Sequence, residues 1–314
     1  MKRTLRGVIL AVALVFAASA AFAQDMGIVT GSKKGTYYQF GLNMAELVKK
    51  QGVRLRVSDS QGSVQNVMEA AARHGNYVFT SPPALVASAL AGSGPFKEKA
   101  NPKFAEIRAL FPIPSLTMHF VVRADSGIKD FAGLAGRKML IGKGSFGADE
   151  GKKYLEMFGV KDKVELADVE LSNAVAALKN GQIDGFVTAG SFPAPNVMEA
   201  AAGTGVSLLS LTDDQVAQTK RARIVIPANT YTGQATDVVT TSLPVVAYTT
   251  TAMDDDTAYL MTRTFWEQKD GMSATAAWWK GVDFGLLANI GTRLHPGAIR
   301  YYTERGVTLA EAHE

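Results

Sequence analysis

The stretch RLRVSDSQGSVQNVMEAAARHGNYVFTSPPALVASAL, Arg54–Leu90, decides the fold. Arg54–Val57 reads as a strand. SQGSVQNVMEAAARHG reads as a loop and a helix, with Ser63 expected to cap a helix over Val64–Arg73. Tyr77–Thr80 is a second strand, and SPPALVASALAG is a helix entered through prolines. Strand and helix alternate, which predicts a mostly parallel sheet with helices on its faces.

The same alternation extends in both directions. Upstream, Ile28–Thr30 is short and apolar, the loop GSKKGTYY follows, and Phe40–Lys50 has a helical pattern. Downstream, Met118–Val122 is a strong β run leading to a short helix at Lys129–Leu134. Then come a strand at Lys138–Ile141, a glycine loop, a helix over Asp149–Phe158, a strand at Val164–Leu166, a helix over Ser172–Asn180 and a strand at Ile183–Val187. Pro244–Thr250 is a further β run, followed by helices at Asp256–Gln268 and about Ala274–Trp279. The expected organisation is α/β in two lobes. Residues 24–119 form the first part of lobe one, 120–242 form lobe two, and 243–314 return to lobe one. Two crossings leave a cleft, where ligands meet the carboxyl ends of strands and the starts of helices.

The ends and the composition bound the compartment. Lys2, Arg3 and Arg6 precede the short apolar run VILAVALVFAASA and the small-residue site Ala21-Phe22-Ala23. This is the pattern of a secretory signal peptide, expected to be cut after Ala23 and to deliver a periplasmic protein. The run is short of the roughly 20 apolar residues of a spanning helix. Without the leader's three basic residues, the chain's 33 fall to 30, against 29 acidic ones. That balance gives no argument for nucleic acid. The chain has no cysteine, which excludes disulfides, thiolate metal sites and cysteine nucleophiles.

Five loops in strand-to-helix position share one chemistry: Gly31–Tyr38, Gly62–Ser63, Ser81–Pro82, Gly144–Ala148 and Gly190–Pro195. Free N–H groups at helix starts bind anions. Hydroxyls at Ser32, Thr36, Ser63, Ser81, Ser145 and Ser191 add donors, or serve only as caps. Catalytic machinery is hard to assemble. The four histidines (His74, His119, His295, His313) lack metal-ligand spacing, and there is no G-x-S-x-G elbow. His74 reads as a helix cap and His119 as a packed residue. Asp254–Asp256 read as helix capping rather than as a metal site. Of Trp278 and Trp279, one is expected in the core and the other partly exposed. No cofactor is expected.

One motif points elsewhere. Gly142-x-Gly144-x-x-Gly147 has the spacing of a dinucleotide fingerprint, with Glu165 and Asp168 near the place of its acidic partner. The alternative is therefore an exported dinucleotide-binding oxidoreductase. The motif lies mid-chain, however, and no hydride-transfer partner can be named. The same loop can hold a carboxylate by its N–H groups.

GSKKGTYYQFG resembles the N-terminal loop of TAXI-type solute receptors, the substrate-binding subunits of one class of TRAP transporters. The resemblance continues in DSQGSVQNV, VVRADSGIKDFAGLAGRKMLIGKGSFG, ALKNGQIDGFVTAGSFPAPNV, IPANTYTGQATDV and LHPGAIRYYTERG. It implies a type II periplasmic binding protein: two α/β lobes joined by two crossing strands, closing over a small solute. It also implies a membrane permease as partner, typically a fused protein driven by an ion gradient, and no catalysis. Solutes associated with the family are glutamate, glutamine and dicarboxylates such as 2-oxoglutarate. By match to the family loops, Gly35, Thr36, Tyr37, Tyr38, Ser63 and Ser81 would contact ligand from lobe one. Ser145, Gly147 and Ser191 would close from lobe two. Three departures stand out. Lys33 and Lys34 replace glycines, as solvated loop charges or as cations beside a helix start. Ala148 removes a hydroxyl, and Thr80-Ser81-Pro82-Pro83 lacks an acid. The lysines and the missing acid favour a dicarboxylate over an amino acid. A monomer is expected, and a periplasmic ligand sensor of the same fold is a further alternative.

Overall fold

A computed structural model describes residues 24–313 apart from 74 and 275. The signal-peptide segment and His74 therefore lie outside the described residues. The first α/β unit consists of β1 (Gln24–Val29), α1 (Thr36–Lys49), β2 (Val53–Ser58), α2 (Ser63–Ala70), β3 (Tyr77–Ser81) and α3 (Pro83–Leu90). β1 lies between β2 and β3 and is parallel to both. Helix α2 starts one residue earlier than its sequence suggests. Its N-cap is Gly62, at φ 134°, and Ser63 is already in the first turn. Asn66 explains the loop. Fully buried, it donates to the carbonyls of Thr30 (2.6 Å) and Thr80 (2.9 Å) and accepts from Ser60 Oγ.

Two long strands, β4 (Ile107–Arg123) and β10 (Val238–Thr250), run through the middle of a single sheet. Between them in sequence lie β5 (Lys138–Leu140), α4 (Phe146–Met157), β6 (Glu165–Leu166), α5 (Ala174–Lys179), β7 (Gly185–Gly190), α6 (Pro195–Gly203), β8 (Val206–Leu208), α7 (Asp213–Thr219) and β9 (Ala222–Ile226). The sheet order is β2-β1-β3-β10-β4-β7-β5-β6, with β8 on β4 and β9 on β10. The early part of β4 pairs with the late part of β10, and residues 117–122 of β4 pair with β7. Each long strand therefore serves both lobes, and the expected cuts at 119/120 and 242/243 fall inside them.

The prolines of FPIPSLT hide most of β4 from a sequence reading that recognises only Met118–Val122. They have a structural consequence as well. The β4–β10 register slips between Leu243 and Val245, where Pro114 and Pro244 lie. Proline offers no N–H to a ladder, so pairing is interrupted where the chain passes between the lobes.

The C-terminal part supplies α8 (Asp255–Gln268) and α9 (Pro296–Glu304). Asp254 caps α8, accepting from Thr257 N at 2.8 Å, with Asp255 and Asp256 in the first turn. Ala274–Trp279 is not one α-helix but short 3-10 turns, one over Ala277–Gly281. Both tryptophans are buried, against the expectation that one is exposed. They stack at 5.0 Å, and Trp279 packs on Phe40 and Phe265. A second apolar cluster around Phe186, Val197 and Ala200 holds lobe two.

Candidate functional site

The lobes meet across a tight seam over a cavity of about 60 Å³. Lobe one contributes Thr30, Ser32, Tyr37, Gln61 and Ser63; lobe two contributes Ile141, Ser145, Gly147, Thr188 and Ala189. The first turns of α2 and α4 thus enter from opposite sides, and Tyr37 comes from the first turn of α1. First-turn N–H groups lack intrahelical acceptors, and the helix dipoles add positive potential. Among the described residues, no charged side chain lines this cavity. Its polar character comes from hydroxyls, the Gln61 amide and backbone.

Glycines set how closely the seam shuts. A Cβ on Gly62 would sit 2.3 Å from Ser145 Cβ, one on Gly144 would sit 2.7 Å from Gln61 Oε1, and one on Gly190 would sit 2.8 Å from Thr36 Oγ1. Each pair joins the two lobes. Gly147 has a different role: its Cβ would strike Ala189 Cβ at 2.4 Å, so glycine lets α4 lie close on β7. The fingerprint spacing of Gly142, Gly144 and Gly147 is thereby accounted for by backbone geometry (φ 81° and 65° at the first two) and close packing.

Of the residues singled out in the sequence, Ser32, Tyr37, Ser63, Ser145 and Gly147 line the cavity. Tyr37 donates to the Pro114 carbonyl at 3.2 Å, and burial pushes its phenol well above the usual range, so it remains a neutral donor. Ser145 Oγ accepts from Ala148 N at 3.0 Å, capping α4 as well as facing the cavity. The others lie elsewhere. Thr36 donates across the seam to the Ser191 carbonyl at 3.1 Å. Ser191 Oγ donates to the Ser115 carbonyl at 2.7 Å. Lys34 pairs at 2.8 Å with Glu199 of α6, an exposed tie at the rim, and Lys33 faces Asp59 at 3.7 Å. Gly35 is the N-cap of α1, Tyr38 is half-buried on that helix, and Ser81 turns its hydroxyl to the Pro82 carbonyl at 3.2 Å. Arg108, Arg123 and Arg137 are engaged outside the cavity, by the Ala105 carbonyl, Asp125 and Asp184 respectively.

The sequence reading missed Thr30, Gln61 and Thr188. Thr188 sits near the carboxyl end of β7, where strand-end rules place ligands. Gln61 adjoins a loop already marked by Gly62 and Ser63. Behind the seam, His119 is packed as expected. Burial lowers its pKa to about 4. Its Nδ1 lies 3.0 Å from the Thr117 carbonyl and its Nε2 lies 2.8 Å from Tyr231 Oη, which accepts from Ala194 N at 2.9 Å. A neutral ring protonated on Nδ1 satisfies all three contacts. This chain ties β4 to the N-cap of α6 beside Ser191.

The two-lobe architecture with paired crossing strands is that of the periplasmic binding proteins. A solved structure described as a periplasmic transporter matches at a TM-score of 0.55 and 10% identity, covering 85% of this chain and 86% of that one. The chain belongs to the NMT1-like family, whose profile matches residues 28–306. Looser matches include arginine-bound truncated ArgBP from T. maritima (TM-score 0.47, 14% identity, 77% and 95% covered). The alkanesulfonate-binding protein SsuA from Xanthomonas axonopodis pv. citri also matches (TM-score 0.47, 14% identity, 85% and 82% covered). These two are too distant to carry an argument about function. Among the described residues no helix is long and apolar enough to cross a membrane, and no group of three or more His, Asp or Glu could hold a metal ion.

Proposed function

We propose that this chain is a periplasmic solute-binding protein that closes its two lobes over a small carboxylate and delivers it to a membrane permease. The observation that carries the reading is the pair of helix starts, α2 and α4, facing one small cavity from opposite lobes. A carboxylate there accepts from N–H groups and hydroxyls without a paired cation. The cavity size bears on the solute. At about 60 Å³ the cavity is small. That suits a carboxylate head rather than a whole C5 acid. The remainder would enter an adjoining pocket of about 520 Å³, which shares Ser32, Gln61, Ser145 and Leu171 with the cavity. Lys33 and Lys143 line that pocket, together with Asp59 and Glu170. A dicarboxylate of the C4 or 2-oxoglutarate type, or glutamate or glutamine, matches this arrangement. A dinucleotide does not match a 60 Å³ cavity, and no catalysis is proposed.

The resemblance of GSKKGTYYQFG and its companion motifs supports a TAXI-type receptor serving an ion-driven TRAP permease. An ABC-type permease is the second reading, favoured by the family and fold shared with other periplasmic binding proteins. The mechanism is population shift: solute contacts made by both lobes together favour the closed form. The test is thermal unfolding of residues 24–314, cleared of carried-over ligand, against succinate, fumarate, 2-oxoglutarate, glutamate, glutamine and NAD. A ligand of the folded state adds roughly 2.7 kcal/mol at 100 times its dissociation constant. A rise with one of the acids and none with NAD is expected; a rise with NAD alone overturns the reading.

A further inference from the structure

Thr117 of β4 is only 2% exposed. It lines a groove of about 550 Å³. Side chains alternate along a strand. Leu116 faces the seam cavity, whereas its neighbours Ser115 and Thr117 face the groove, so the groove lies on the opposite face of β4. Ser242 of β10 sits directly across from Thr117 and also lines the groove. One wall is Phe192 and Pro193 of lobe two, and the other is Trp278, held by its stacking on Trp279.

The groove's volume falls within the 300–1,000 Å³ of ordinary small-molecule sites. Among the described residues no charged side chain lines it. An ion there would lose hydration without a partner, which selects an uncharged ligand. Aromatic walls favour a flat apolar body. The three hydroxyls of the floor favour one polar end.

We propose that this groove is a second ligand site, for a small uncharged molecule with a planar apolar body and one hydrogen-bonding end. The body lies between Phe192 and Trp278, and the polar end meets Thr117 and Ser242.

The test compares benzyl alcohol with size-matched benzylammonium by ligand-observed NMR titration on residues 24–314. Gly281 lines the groove, and a Cβ there would meet nothing within 4 Å, so Gly281→Phe fills the groove from open space. Gly281→Leu is the smaller filler if the phenylalanine disturbs folding, and Thr117→Val removes the hydroxyl at nearly constant shape. Saturable binding of benzyl alcohol near about 1 mM is expected, with benzylammonium at least tenfold weaker. Binding should weaken about tenfold or more on filling and several-fold in Thr117→Val. No saturable binding to the wild type, undiminished binding in a folded filled variant, or equal binding of the cation would overturn the proposal.

Discussion

The two faces of the crossing strands are built on opposite terms. On the seam face, glycines, hydroxyls and helix starts bring the lobes so close that about 60 Å³ remains. On the other face, proline and aromatic side chains keep the walls apart over about 550 Å³. The seam shuts because one partner in each of three contacts across it (Gly62, Gly144 or Gly190) has no Cβ. The groove stays open because Trp278 and Phe192 are each held by their own lobe's core. Contact between lobes is thus governed by a few backbone positions, and the cores govern only where those positions lie.

The largest test of this contrast is Gly62→Ala. The new methyl would overlap Ser145, at a φ of 134° that a side chain disfavours. Closure should be blocked, and solute affinity in calorimetry should fall by about 3 kcal/mol, over a hundredfold. The same change at Gly281, on the groove face, should leave solute affinity untouched.

Second is the pH response of His119. Its pKa is lowered from 6.5 to about 4 in the folded chain, so the unfolded chain binds more protons between those values. Its contribution is present above about pH 6.5 and is lost as pH falls through about 4. Stability should drop by about 2 kcal/mol between pH 7.5 and 4.5 on this account. In His119→Gln the drop, followed by urea unfolding, should be smaller by that amount.

Third, Thr36→Val removes the seam hydrogen bond to the Ser191 carbonyl. Solute affinity should weaken by about 1–2 kcal/mol, through closure rather than solute contact. The smallest effect belongs to Lys34→Ala. An exposed pair of this kind is worth about 0–1 kcal/mol and fades with salt. Affinities measured at low and high salt should converge on the wild type as salt rises.

The alternation of strands and helices was legible because each element is short and punctuated by glycine or proline. β4 was not, because its prolines read as loop although neighbouring strands supply the pairing. The expectation that one of Trp278 and Trp279 is partly exposed failed because Trp278 stacks on Trp279, which packs on Phe40 and Phe265, and Phe40 is far away in sequence. At the site, loops carrying Ser63, Ser145 and Gly147 were found from their position before helices. Thr36 was expected at the solute and Lys34 as a solvated charge or a cation beside a helix start, whereas across the seam Thr36 meets the Ser191 carbonyl and Lys34 meets Glu199. Sequence shows that a loop faces a cleft; which of its side chains meets ligand and which meets the other lobe depends on approach distances of a few ångströms.

The most direct measurement is the distance between the lobes. The chain has no cysteine, so Lys50→Cys on lobe one and Lys179→Cys on lobe two, both exposed, give two unique spin-label sites. Pulsed electron resonance would compare the ligand-free protein with protein saturated by the carboxylate that raises its melting point. The account predicts a broad distribution that collapses to one narrow distance when the solute binds. A distribution unchanged at saturation would mean that the seam does not close over the solute, and the central claim would fail.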